Sequence, residues 1–319
     1  MFAFVNTLKT ATLRAPIGRG AFVHPAFWFV SAALVIALIL KAPLAQPAAI
    51  ATATIVMIGG GLPHGAYDIA LLRRAVSLNR SALALVVGGY LAIVVLMALL
   101  WTCLPLIALV LFLAIAAVHF GEDWPMLDRG LLRFAAGAAA IVAPTIGHPA
   151  DVATLFVAMS DPRAAIVAKI ITATAPVTLL VTAVGIAIAW RHENRQWAAS
   201  MTICLALLVL LPPVAGFALF FVFLHTPRHL AQARVALFDM TQVRWFATGA
   251  LVSGAAILGW WAQQRLAPWQ IDESLAAQAF QLLAAVAVPH LVLSRWLEKR
   301  LRQPEIARPI GPIEKAATA

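Results

Sequence analysis

Apolar residues run along this chain in blocks of about twenty, with short polar gaps between them. At 1.5 Å per residue such a block matches the hydrocarbon thickness of a bilayer. The blocks predict ten helical spans, at 23–41, 48–72, 82–102, 104–121, 131–148, 164–190, 197–212, 213–231, 245–263 and 276–297. The seventh and eighth meet at Pro212-Pro213, which reads as a tight hairpin or as a break within a single element. Residues 149–163 read as an amphipathic segment lying on the membrane surface. No internal repeat interrupts the pattern, so the expected fold is an all-α, polytopic helical bundle. A single transmembrane domain over residues 23–302 is flanked by a basic segment at 1–22 and a flexible tail at 303–319.

Composition strengthens that reading. Of 319 residues, 63% are hydrophobic and only 11% are charged, against roughly a quarter charged in soluble domains. The mean hydropathy is +0.92. A formal charge of +10 raises nucleic acid as a partner, but the basic residues sit in the gaps between spans, so no nucleic-acid partner is expected. With the N-terminus inside, 19 of the 23 Lys and Arg residues fall on the inner side, and only Lys41, Arg163, Lys169 and Arg265 fall outside. This gives an N-in, C-in topology and an expected location as a multi-pass protein of the cell inner membrane. Cys103 and Cys204 lie far apart in apolar surroundings and read as inert thiols rather than as a metal or disulfide framework.

Five histidines break the apolar pattern: His64, His119, His225, His229 and His290. All lie on even-numbered spans, close before or beside the inner basic clusters, and so at comparable depth in the inner leaflet. Ionisable side chains at such depth are costly and mark function. Imidazole is the commonest ligand for transition metals, so five at one level predict a metal site. His225 and His229, four apart on a helix, face the same way, and Pro227 between them is expected to bend that turn. Asp68 follows His64 by four residues, and Glu122 and Asp123 follow His119 by three and four. A carboxylate so placed can hold the ring nitrogen that faces away from a metal. Gly59-Gly60-Gly61-Leu62-Pro63 predicts a helix break just before His64, at a protein-lined cavity. Tyr67, Phe120 and Phe221 are candidates for the wall of that cavity. The histidines alone leave other readings open: a b-type haem electron carrier, or a di-iron desaturase or hydroxylase. The single HxxxH pair counts against the di-iron reading.

Four motifs, Gly61-Leu-Pro-His-Gly-Ala-Tyr-Asp68, His119-Phe-Gly-Glu-Asp-Trp124, His225-Thr-Pro-Arg-His229 and Pro289-His290, occur in order across roughly residues 50–300. Together they resemble the Brp/Blh family of bacterial and archaeal β-carotene 15,15′-dioxygenases. The resemblance implies a membrane enzyme dependent on Fe(2+) that cleaves the central double bond of β-carotene with O2 into two retinal molecules. It matches His64, His119, His225 and His229 to the family's essential histidines, and His290 to its Pro-His motif. It further implies that substrate arrives from the lipid bilayer and that retinal is passed on to a rhodopsin; beside it stands the alternative of a non-enzymatic retinal or carotenoid carrier that helps assemble a rhodopsin.

Overall fold

The computed structural model describes residues 23–76, 79–266 and 274–302. The basic segment at 1–22 and the tail at 303–319 lie outside the described residues. Among the described residues the chain is helical, with no strand. In order the helices are α1 (Pro25–Ile39), α2 (Pro47–Gly61), a 3₁₀ turn (Leu62–Gly65), α3 (Asp68–Ala75), α4 (Arg80–Cys103), α5 (Pro105–Gly121), α6 (Gly130–Val142) and α7 (Pro144–Gly147). There follow α8 (Pro149–Met159), α9 (Ala164–Arg191), α10 (Arg195–Leu210), α11 (Pro213–Ala218), a π-helical segment (Leu219–His225), α12 (Thr226–Ala236), α13 (Gln242–Leu266) and α14 (Leu275–Arg302).

A helix covers each of the ten expected spans. Seven stretches among the described residues are long and apolar enough to cross a membrane: 47–75, 80–103, 130–147, 164–191, 213–236, 242–265 and 275–296. The other three expected spans are α1, α5 and α10, with 15, 17 and 16 residues. The segment expected on the surface forms the 11-residue α8, too short to cross, which buries Val152, Phe156 and Met159.

Prolines set several of these boundaries. Pro25, Pro47, Pro105, Pro144, Pro149 and Pro213 all occupy the first turn of a helix, where the missing N–H has no intrahelical partner to lose. At Pro212-Pro213 the chain folds back: a Cβ on Gly216 would stand 3.3 Å from the Cα of Leu208, eight residues earlier. That is far closer than the ~12 Å of a straight helix, so the hairpin is the observed alternative.

Small residues bring the central helices together. Gly137 of α6 lies so close to Ala117 and Gly121 of α5 that a Cβ would collide with the Ala117 carbonyl and the Gly121 amide. Backbone approach of this kind is how membrane helices gain dispersion contact where burial from water gives no drive. The tight α5–α6 crossing anchors the end of α5, the element that carries His119. Large apolar side chains such as Leu85, Leu251 and Phe246 point outward, as expected for a bundle solvated by lipid.

Candidate metal centre

Four separate chain segments place the five imidazoles around one point. The helix break predicted before His64 is real. α2 runs through the glycines to Gly61 and passes into the 3₁₀ turn that carries His64. Gly60 and Gly61 lie against Val222 and Phe221 of the π segment, closer than any Cβ permits, whereas Gly59 faces open space. Two of the three glycines therefore serve close packing at this corner.

His119 sits in the last turn of α5. His225 ends the π segment, and His229 lies in the first turn of α12. The bend expected at Pro227 takes a different form. The widened π turns precede it, and Pro227 occupies the first turn of the α-helix that continues from them. His290 follows Pro289 inside α14.

The rings form one group, with centroids 4.4 Å apart for His225–His229, 4.8 Å for His119–His225, 5.2 Å for His64–His290 and 6.3 Å for His64–His119. His64, His119, His225 and His290 are buried, His225 completely. The ligand atoms of His64, His119 and His225 all lie within 4.8 Å of one another, as do those of Asp123, His225 and His229.

Each of four rings has its Nδ1 tied down. His290 Nδ1 donates to both Asp68 oxygens at 2.8 and 2.9 Å, and His225 Nδ1 donates to Asp123 Oδ2 at 2.7 Å. His119 Nδ1 meets Glu122 Oε2 at 3.2 Å, and His64 Nδ1 leans on the Gly61 carbonyl. A proton held on Nδ1 leaves Nε2 with a free lone pair, the tautomer a metal ligand needs. The Nε2 atoms of His119, His225, His229 and His290 are all buried without a hydrogen-bond partner. One such orphan costs about 1–3 kcal/mol, and the ligand atoms of His64, His119 and His225 lie close enough together to share one partner. A cation bound by neutral imidazoles would serve such a group, and the donor set suits a transition metal.

The carboxylates pair differently from the local expectation. Only Glu122 serves the histidine that precedes it. Asp68 does not reach back to His64, because the 3₁₀ turn intervenes and α3 starts anew at Asp68, so the four-residue spacing no longer defines one face. It holds His290 instead. Asp123 lies beyond the end of α5, in the turn closed by Trp124 N–H to Gly121 O. There it reaches His225, and its Oδ1 stands 3.5 Å from His229 Nε2. Burial alone would raise the Glu122 carboxyl, but His119 and Arg295 hold it below the usual carboxylate range.

Two residues at the site escaped the sequence reading. Tyr90 on α4 donates its hydroxyl to Asp68 Oδ2 at 3.2 Å, extending the chain from His290. Arg295 bonds Glu122 at 3.2 Å. Arg228 is buried, donates to the Asp123 backbone carbonyl and lies 5.2 Å from the Trp197 ring centroid, so it props the Asp123 turn. The one available signal was that Tyr90 is one of only two tyrosines in the chain and sits in an apolar span.

A cavity of about 690 Å³ opens beside the cluster. His64, His119 and His290 face it, and Phe120 and Phe221 stand in its wall as expected, with Phe112 and Phe217. Tyr67, expected in that wall, is elsewhere. Its ring stacks on Trp245 at 3.8 Å and its hydroxyl donates to the Trp245 carbonyl, because the restart of the helix at Asp68 turns Tyr67 toward α13.

Fold and site thus define a polytopic helical protein of the membrane type, with a histidine cluster at the end of an apolar cavity. The chain belongs to the family described as Beta-carotene 15,15'-dioxygenase, whose model matches residues 53–298. It is 26% identical over 261 residues to the Beta-carotene 15,15'-dioxygenase of uncultured marine bacterium 66A03, covering 73% of this chain and 88% of that protein. It is 27% identical over 289 residues to the Probable beta-carotene 15,15'-dioxygenase Blh of Halobacterium salinarum, covering 75% of this chain and 81% of that one. No solved structure matches. The family expected from the four motifs is the family found.

Proposed function

We propose that this protein cleaves the central 15,15′ double bond of β-carotene with O2, releasing two molecules of retinal, at a non-haem Fe(2+) held within the membrane. The observation that carries the metal is the triad His64, His119 and His225, whose ligand atoms all lie within 4.8 Å of one another, with the Nε2 atoms of His119 and His225 buried and unpartnered. His64, His119, His225 and His229 would hold the ion, with His290 as a fifth candidate. Its redox-active d electrons supply the O2 chemistry that an all-protein site lacks. Overall, one C=C bond breaks, and each of its carbons takes one oxygen atom of O2 as a carbonyl.

The chain's own part is binding, orientation and exclusion of water. Asp68, Asp123 and Glu122 fix the imidazole tautomers, so the ring nitrogens need no rearrangement when the site is used. The apolar cavity keeps the reaction dry and gives the polyene an environment like the lipid it leaves. His64, His119 and His290 form the reactive end of that cavity, while His225 and His229 close the cluster from behind. A haem is disfavoured, because His64–His225, His119–His229 and His225–His229 have ring centroids only 5.5, 5.2 and 4.4 Å apart, too close to clamp a macrocycle between them.

The same reading takes ten spans, an N-in and C-in orientation and the inner membrane as the location. β-Carotene then arrives through the bilayer. Retinal leaves into the bilayer, where a retinal-binding rhodopsin can take it up. The test is expression in a β-carotene-producing host with iron supplied. Loss of the orange colour with accumulation of retinal is expected; a folded, iron-supplied protein that yields neither overturns the reading.

A further inference from the structure

Four helices show how the cavity is laid out. Its α4 wall runs from Tyr90, hydrogen-bonded to the Asp68 that holds His290, through Val94 and Ala98 to Thr102. Twelve residues of helix make that wall ~18 Å long. α13 runs beside it in the same direction. Gly249, near its start, touches the Tyr67 hydroxyl, whereas Trp260 and Gln263 line the cavity at its far end. α5 and α14 run the opposite way and bring His119 and His290 to the near end. The cavity is therefore a channel with the histidines at one end and Thr102, Trp260 and Gln263 at the other.

Two features of this channel decide how a polyene would sit in it. First, Leu91, Val95 and Leu99 on α4 and Val252 on α13 line it while also facing outward. The channel is thus open sideways along its length, and a lipid-dissolved rod enters broadside, with no threading step to set its position. Second, the walls between the ends are almost wholly hydrocarbon and aromatic. An unfunctionalised polyene slides along such walls from one double bond to the next at little change in contact energy, since each position makes equivalent dispersion contacts. Only a steric end can distinguish these positions.

The far end is built as such a stop. The Gln263 amide crosses from α13 to donate to the Ala98 carbonyl of α4 at 3.0 Å, tying the two helices where the channel closes. Trp260 is buried at 8% exposure, and the Thr102 hydroxyl is committed to the Leu99 carbonyl at 2.9 Å. Bulk dominates this end, where the Trp260 Nε1 is buried without a hydrogen-bond partner.

We propose that Thr102, Trp260 and Gln263 act as the end stop that determines which double bond of the carotenoid lies at the histidines. This rests on the carotenoid-cleaving reading above and adds to it the residues that set cleavage position. One ring of the substrate abuts the stop, and the distance from stop to cluster selects the bond.

The test compares Thr102→Phe, which raises the stop, and Gln263→Ala, which removes bulk together with the tie to the Ala98 carbonyl. Each is expressed in the β-carotene-producing host, checked for monodispersity in detergent and for unchanged iron content, and its products are separated by length. Unsubstituted protein gives retinal alone. In either folded variant retinal falls to a minority, replaced by an unequal pair of apocarotenals from a neighbouring double bond. A folded variant set that still gives only retinal overturns the proposal. So does loss of all cleavage with β-carotene still bound, because a displaced polyene still presents a double bond. If the unsubstituted chain makes no retinal, the activity reading falls and the stop is judged on binding. Thr102→Phe must then lower retention of β-carotene at least tenfold while leaving retention of the shorter retinal unchanged; equal retention of both overturns it.

Discussion

Asp123→Asn separates the carboxylates by how directly they serve the cluster. Asp123 is 2% exposed, lies 2.7 Å from His225 Nδ1 and 3.5 Å from His229 Nε2, and so acts on two candidate ligands at once. The amide keeps the shape and one acceptor but removes the charge that makes the His225 ring a stronger donor. Loss of one such outer partner lowers metal affinity by about 10- to 100-fold, or about 1.4–2.7 kcal/mol. Buried service to two histidines puts Asp123 near the upper figure. Glu122 touches only His119, at 3.2 Å, shares its charge with Arg295 and has a side chain 37% exposed. Solvent screening leaves Glu122→Gln near the lower figure or below it. The assay is competition for Fe(2+) against a chelator of known affinity, under anaerobic conditions, on detergent-solubilised protein. If Asp123→Asn binds within threefold of the unsubstituted chain, or Glu122→Gln loses more, the assignment of these carboxylates is wrong.

The glycine contacts predict a contrast in stability. Gly137→Ala drives a methyl into the backbone of Ala117 and Gly121 and should destabilise by about 3 kcal/mol, whereas Gly59→Ala meets nothing within 4 Å and should be neutral or gain up to ~1 kcal/mol; thermal unfolding in detergent ranks the two. Metal removal should also lower stability, because an ion at a hundred times its dissociation constant contributes about 2.7 kcal/mol. Chelation is expected to lower the unfolding midpoint reversibly in the unsubstituted chain and to leave His64→Ala unmoved; equal shifts in both would show that the ion sits elsewhere.

The large features were legible because they obey simple periods. Apolar blocks of membrane length located a helix for each expected span, and the position of five histidines relative to the basic clusters placed them at one level. What stayed hidden depends on three-dimensional closure. The pairing of Asp123 with His225 spans 102 residues and that of Asp68 with His290 spans 222, so neither leaves a local spacing to read. The π segment Leu219–His225 has the composition of any apolar helix, and only packing against Gly60 and Gly61 betrays the widened turns. Tyr67 was placed in the cavity by proximity to His64, yet a single 3₁₀ turn sufficed to direct it to the other side.

The Asp68–His290 bond also imposes an order on biogenesis. Asp68 is inserted with the second span, at the start of α3, but its partner is synthesised 222 residues later on α14. At about 5–20 residues per second that interval is roughly 11–44 s. Throughout it a carboxylate that will end buried has no imidazole to receive, and the cluster lacks one wall. The nascent chain therefore cannot finish this centre early: docking of the final helix is the step that completes it, and a ribosome stalled before Leu275 leaves a protein inserted in the membrane but unassembled at its core.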